Sequence, residues 1–173
     1  MTERAGLDLA VVLKNGESIG DGEPLAVLQG LVNGLNELAI ARSLVIKPVD
    51  VKEVLNSIRQ SYGTIGRDGL ALAIGAAVQN GQIVFDSLPD KRTLSLGLVE
   101  LEARRRNRES DSKMKEIIIL TAFGFSAKDV GEKKEMESTS VRSKLQKIYN
   151  EWGVTRYGAI ACVWRMIIND KGN

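Results

Sequence analysis

The chain has 173 residues with a formal net charge of +2; 43% of its side chains are apolar, 27% are charged, and none is histidine. That length suits one large domain or two small ones, the apolar share is enough for a core, and the charged share excludes neither globularity nor solubility. The missing histidine removes Ser–His and Cys–His nucleophile pairs and histidine-built metal sites, so no enzyme, cofactor or metal is expected.

In the front part, residues 7–13 form an apolar run ended by Asn15-Gly16, a strong turn signal, and followed by Glu17-Ser18-Ile19. This reads as a strand or a hairpin. Residues 20–23 read as a loop, and Pro24 suits the first position of a helix. Over 25–44, Leu28, Leu31, Val32, Leu35, Leu38 and Ala39 keep helical spacing. Residues 45–49 predict a short strand interrupted by Pro48. Asp50 then caps a helix over 51–62, with Val51, Val54, Leu55 and Ile58 on one face. The glycine-rich stretch 63–69 carries Arg67 but lacks a phosphate-loop pattern and reads as a connector. A helix follows over 69–78, closed by Asn80-Gly81, and 82–85 predict a strand.

Residues 93–101 fit both periods and are taken as a helix running into a basic stretch. The front domain, 1–101, is therefore expected to be mixed α and β, serving oligomerisation or the input of a signal or partner. It shows no acidic pair after its first strand, as a phosphoacceptor receiver needs. Tyr62 and Phe85 are its only aromatic residues, which argues against an autoinducer pocket.

Residues 102–112 read as a basic linker, since they lack apolar periodicity and end in small polar residues. Arg104, Arg105, Arg106 and Arg108 within it can reach a phosphate backbone, and they read equally as a solvated helix end. Charge is unevenly placed. Residues 1–90 hold seven Lys/Arg against eleven Asp/Glu, 91–109 hold six against three, and 110–173 hold eleven against eight. An acidic front and a basic back suit a regulatory part attached to a phosphate-facing one.

The back part, 113–173, carries the most informative pattern. Residues 113–123 read as a short helix stopped by Gly124. Ser126 caps a second helix, 127–134, with Asp129 in its first turn. After a turn through Glu135 and Met136, Val141, Leu145, Ile148 and Trp152 recur at steps of four, three and four. That spacing marks the buried stripe of a helix over about 138–152. Its other face offers Ser140, Arg142, Ser143, Lys144 and Lys147. Hydroxyls and cations on one face are what a helix lying in a major groove needs. Cys162, in an apolar run, reads as a buried structural thiol.

Glu116, Leu120, Ala122, Gly124, Ser126, Lys128, Asp129 and Val130 fit a known pattern without a gap, continued by Met136, Ser140, Val141, Arg142, Ile148, Gly153, Val154, Arg156 and Ala159. On these residues the last third of the chain resembles the LuxR/FixJ-type (GerE-like) helix-turn-helix domain of bacterial transcription regulators. The Gly153-Val154 pair followed by Arg156 and Ala159 resembles that family's fourth helix rather than region 4 of a sigma factor. Four positions depart. Lys134 stands for a leucine, Glu137 for a capping serine or threonine, Lys144 for a frequent histidine and Gly131 for an alanine, and Ser138 can cap in place of Glu137.

With the mixed α/β front domain read from its own residues, the chain is expected to be α+β; the resemblance implies an all-α four-helix back domain whose third helix enters the major groove of double-stranded DNA. Ser126 and Lys128 would then anchor phosphates at a helix N-terminus. A homodimer on a two-fold site is expected, because one small module rarely gives enough affinity. RNA polymerase or another regulator is a further expected partner class. No run of roughly 18 uncharged apolar residues exists and the N-terminus lacks a signal peptide, so a cytoplasmic, nucleoid-associated regulator with no membrane contact is expected. Two rival classes remain open. One is a sigma-like module docking on polymerase or another protein. The other is a plasmid, phage or nucleoid protein that binds DNA with little sequence preference.

Overall fold

The structure, a computed structural model, describes residues 19, 22–86, 88 and 108–170. Over these residues it forms eight helices: α1 (Glu23–Val32), α2 (Glu37–Leu44), α3 (Pro48–Tyr62), α4 (Gly69–Gln79), α5 (Arg108–Ala122), α6 (Ala127–Lys134), α7 (Ser138–Trp152) and α8 (Arg156–Asp170). No strand occurs among the described residues, so the expected α+β class is corrected to all-α. The strand or hairpin read at 7–19 lies outside the described residues except for Ile19, which is buried without regular structure. The helix read at 93–101 and linker residues 102–107 also lie outside them, whereas 108–112 open α5.

Three local readings of the front half change. The helical run 25–44 is two helices, because Gly34 adopts φ +86° and Asn36 caps α2, its side chain accepting from the Ala39 N–H at 2.9 Å. Apolar spacing survives the break, so periodicity could not reveal it. The strand read at 45–49 is instead the end of one helix and the start of the next. Val45 closes α2 in the left-handed region, and Pro48 pre-sets the dihedral for the first turn of α3. Asp50 therefore sits inside the helix, where its carboxylate accepts the Lys47 N–H at 3.1 Å.

The strand read at 82–85 is a loop held by side-chain amides. The Gln29 amide on α1 accepts the Val84 N–H at 2.8 Å and donates to the Val84 carbonyl at 3.0 Å. Gln82 likewise donates to the Ile19 carbonyl at 2.9 Å. One glutamine thus supplies the donor and acceptor that a neighbouring strand would have offered.

The two halves repeat one plan. Glu37 corresponds to Ala127, Leu44 to Lys134, Pro48 to Ser138 and Tyr62 to Trp152, a constant step of 90 residues. The match extends to the backbone. Gly34 and Gly124 both turn at positive φ, and Val45 and Glu135 both close their short helices at φ 58° and 53°. The Leu35 and Phe125 amides donate to Gly30 and Leu120, and the Ile46 and Met136 amides to Ala41 and Gly131. Burial follows the same step. Val27, Leu28, Val51, Leu55 and Ile58 are buried, as are Ile117, Ile118, Val141, Leu145 and Ile148.

The halves also clasp each other reciprocally. The turn after α5 meets the start of α4, where the Asp68 N–H donates to the Gly124 carbonyl at 2.7 Å. The turn after α1 meets the start of α8, since a Cβ on Gly34 would lie 3.1 Å from the Thr155 methyl. Reciprocal contacts of this kind are the signature of a two-fold arrangement, here between halves of one chain. Arg156, the first residue of α8, pairs with Asp68, the cap of α4, at 2.9 Å and joins the two fourth helices.

Packing is continuous across the halves. α4 and α8 lie against each other at the centre, and one buried cluster runs from Val27 and Leu28 through Leu70 and Ile74 to Ile148 and Trp164. The close approach depends on small residues. A Cβ on Gly75 would fall 2.4 Å from the Trp164 ring. No helix among the described residues is long and apolar enough to cross a membrane.

Candidate nucleic-acid interface

Local chemistry places the α6 N-terminus. Gly124 turns the chain at φ +83°, donating its N–H to the Thr121 carbonyl at 3.0 Å. Ser126 then takes the cap position, and its hydroxyl accepts the Asp129 N–H at 3.2 Å while Asp129 accepts the Ser126 N–H at 3.0 Å. This reciprocal box satisfies amides that the helix itself leaves open. The Ser126 side chain, then the Ser126 backbone N–H, hold the Asp129 carboxyl below its ordinary 3.8.

A depressed carboxylate gives stability that is present above its unfolded pKa and lost as pH falls through the folded value. The stability difference between the native chain and Asp129→Asn should therefore be present at neutral pH. It should shrink below about pH 4, and urea titrations at several pH values check this.

Lys134, where the resembled family has a leucine, forms an ion pair with Glu116 that ties the end of α6 to α5. Glu137, not Ser138, holds the cap position of α7 and makes no side-chain cap bond, so the capping shift to Ser138 does not occur. Gly131 lets the Met136 carbonyl approach, since a Cβ there would lie 2.5 Å from it.

α7 presents two faces. Val141, Leu145, Ile148 and Trp152 are buried and Val154 is half-buried. Arg142, Ser143 and Lys147 are exposed, and Ser140 and Lys144 are half-buried. Gly153 ends the helix in the left-handed region. Ser126 and Lys128 are exposed at the start of α6. The Lys128 amine lies 3.9 Å from Glu132, a surface pair too weak to hold it against a phosphate. Arg104, Arg105 and Arg106 lie outside the described residues, and Arg108 opens α5 with its side chain outside the description.

Interactions that sequence reading did not anticipate brace this unit from the front half. Arg67 stacks over the Phe125 ring at 4.6 Å and Lys133 at 4.9 Å on the same ring. Arg67, read as part of a connector, is thus a tether to the turn before α6. An arginine and a phenylalanine so far apart in the chain carry no spacing signal that would have revealed it.

Elsewhere, a cleft of about 560 Å³ lies between the turn after α1 and the α7–α8 turn. Its titratable lining residue is Tyr149, whose hydroxyl burial pushes up to about 12. Among the described residues no group of three His, Cys, Asp or Glu could hold a metal. Cys162 is fully buried in α8, and burial pushes its thiol up to about 11. Because the thiolate is the reactive form, a disulfide-exchange reagent at neutral pH should label Cys162 only at the rate of unfolding. Labelling at the rate of a free thiol in native buffer would contradict that burial.

Compared with known proteins, the chain matches no family model, no curated protein and no solved structure.

Proposed function

We propose that the chain is a sequence-reading transcription regulator that binds double-stranded DNA through a LuxR/FixJ-type unit formed by α5–α8. The observation that carries this is the divided surface of α7. One stripe is buried against its supports, while Arg142, Ser143 and Lys147 on its other face are exposed, as are Ser126 and Lys128 at the start of α6. Arginine and lysine can read guanine edges in the major groove, and serine can meet any base or a phosphate. Lys128 sits in the first turn of α6, where a helix N-terminus favours an anion, while Ser126 shapes that end by its box with Asp129. In this role the protein acts on the nucleoid, in the cytoplasm.

The test is selection of bound fragments from random or host duplex DNA with the full chain and with Lys144→Ala. A discrete motif that the substitution weakens is the expected result. Enrichment no better than background at ~150 mM salt would overturn the reading and direct attention to polymerase and other protein partners.

A further inference from the structure

The clasp between the halves is two-fold in its backbone but not in its chemistry. Asp68 accepts the Leu70 N–H at the start of α4, as Thr155 accepts the Gly158 N–H at the start of α8. Arg67, just before Asp68, therefore corresponds to Val154. At the step of 90 residues Phe125 corresponds to Leu35, and Lys133 to Ser43. Where one clasp gathers an aromatic ring and two cations, the other has leucine, valine and serine. The halves can close without charge at these positions, so folding alone does not account for the cations.

Extra chain delivers Arg67. Residues 63–68 join α3 to α4, whereas 153–155 suffice between α7 and α8. The longer loop turns on Gly66 at φ +76°, and the Arg67 N–H donates to the Thr64 carbonyl at 3.0 Å. Ile65 at its tip is fully exposed, so the loop stands out from the core where Arg67 bridges to Phe125.

Nothing among the described residues answers the two charges. The Arg67 guanidinium and Lys133 ammonium lie 4.6 and 4.9 Å from the Phe125 ring centre. Neither makes a hydrogen bond or ion pair with a described residue. The carboxylates next to them in sequence are turned elsewhere, Asp68 to Arg156 and Glu132 toward Lys128. Two like charges closer than a Debye length, about 10 Å in ~0.1 M salt, repel each other. A guanidinium offers five donors, an ammonium three, and neither can accept. Such a pair calls for an anion from outside the fold.

Position selects that anion. Phe125 directly precedes Ser126, the cap of α6, and Lys128 is exposed in the turn that follows. This end of α6 is the part of the proposed reader that meets the sugar–phosphate backbone. We propose that Arg67 and Lys133 form a phosphate clamp on duplex DNA, through which the front half grips the strand flanking the groove that α7 enters. The planar arginine fork suits phosphate oxygens, and the shared ring holds both cations in place beforehand. The clamp rests on the proposed DNA reading and carries no sequence information of its own.

The experiment measures Kd of the full chain by fluorescence anisotropy over ~50–200 mM salt, on a selected motif and on a scrambled duplex. The native chain is compared with Arg67→Met, Lys133→Met and Arg67→Lys, and with Lys52→Met as an exposed control cation on α3. Methionine keeps an apolar contact with the ring while removing charge, and an unchanged urea midpoint checks the fold. Lys133 is exposed, so its variant tests the clamp even if Arg67→Met is destabilised. Each methionine at the ring should lower the slope of log Kd against log salt by about 1 on both duplexes. Arg67→Lys and Lys52→Met should keep the native slope. An unchanged slope for both ring variants would overturn the clamp and leave the two cations as ties within the fold. So would an equal drop from Lys52→Met, the mark of a general charge effect. Binding without a motif, with the slope still lowered at the ring, would sink the sequence reading alone. A native chain with no duplex affinity at ~50 mM salt would overturn both.

Discussion

Replacing Trp164 by alanine is expected to destabilise the chain by about 3–5 kcal/mol, the range for truncating a buried aromatic residue. Trp164 is 1% exposed, its ring edge meets Phe123 at 4.8 Å between centroids, and its Nε1 donates to the Ala122 carbonyl at 3.0 Å. Truncation opens a cavity between α4 and α8 and leaves that carbonyl unpaired, and the two losses overlap rather than add. Against a total of roughly 5–15 kcal/mol for a native domain, the loss is large. Gly75→Ala should cost about 1–3 kcal/mol by overpacking, because its Cβ would press into the same ring.

The double variant distinguishes this account from a general weakening of the core. With the ring gone, the alanine methyl has room, so Gly75→Ala should be nearly neutral or stabilising in the Trp164→Ala background. Urea unfolding of the four chains measures it, and additive losses would show that the helices do not meet through this pair. Because α4 and α8 carry the packing between the halves, both halves should lose structure in one transition.

The second large effect concerns the proposed reader. Arg142→Ala should weaken binding to a selected DNA motif by about 1–3 kcal/mol, or roughly 5- to 150-fold in Kd, and relax preference at one base position. Lys128→Ala should act differently. Removing the cation proposed to meet a phosphate at the start of α6 should weaken all sequences alike and lower the slope of log Kd against log salt by about 1. Fluorescence anisotropy over a salt series, on the motif and on a scrambled duplex, separates the two behaviours. Equal losses on both duplexes for Arg142→Ala would remove it from base reading. An unchanged salt slope for Lys128→Ala would remove that lysine from the phosphate anchor. Lys128 reports on the anchor because its pair with Glu132 is long and at the surface.

Much of the back half was legible because its signals are local. Ser126 with Asp129 three residues on, Gly124 and Gly153 at helix ends, and the Val141, Leu145, Ile148, Trp152 stripe each act within a few turns. The bounds of α6 and α7 follow from them. The front half misled for an equally local reason. Val45-Ile46-Lys47-Pro48-Val49 is rich in β-branched residues and has strand propensity, yet it spans a helix end, a turn and a helix start. Propensity reports a preference for a pleated, half-buried surface, and no such surface is offered here.

The repeat was hidden because its two copies share few residues. Gly34 and Gly124, Val51 and Val141, Leu55 and Leu145, Ile58 and Ile148, and Gly63 and Gly153 are the identical pairs between 34–63 and 124–153. What the copies share beyond these is backbone. The left-handed caps at Val45 and Glu135 and the turn hydrogen bonds into Gly30, Leu120, Ala41 and Gly131 tolerate almost any side chain. A pattern carried by dihedrals and burial leaves little trace in residue identity.

The sequence by itself determined the bounds of α6 and α7 and which face of α7 is apolar, since caps, glycine stops and helical periodicity act over a few residues, whereas α5 begins at Arg108 inside the stretch read as a linker. Tertiary structure alone decided that 45–49 joins two helices instead of forming a strand, that Gln29 holds the loop at 82–85, and that Asp68 clasps Gly124 and Arg156. The loop and the clasp depend on groups 55 to 88 residues apart meeting in space. Loop closure over such distances is favourable only when the whole core forms.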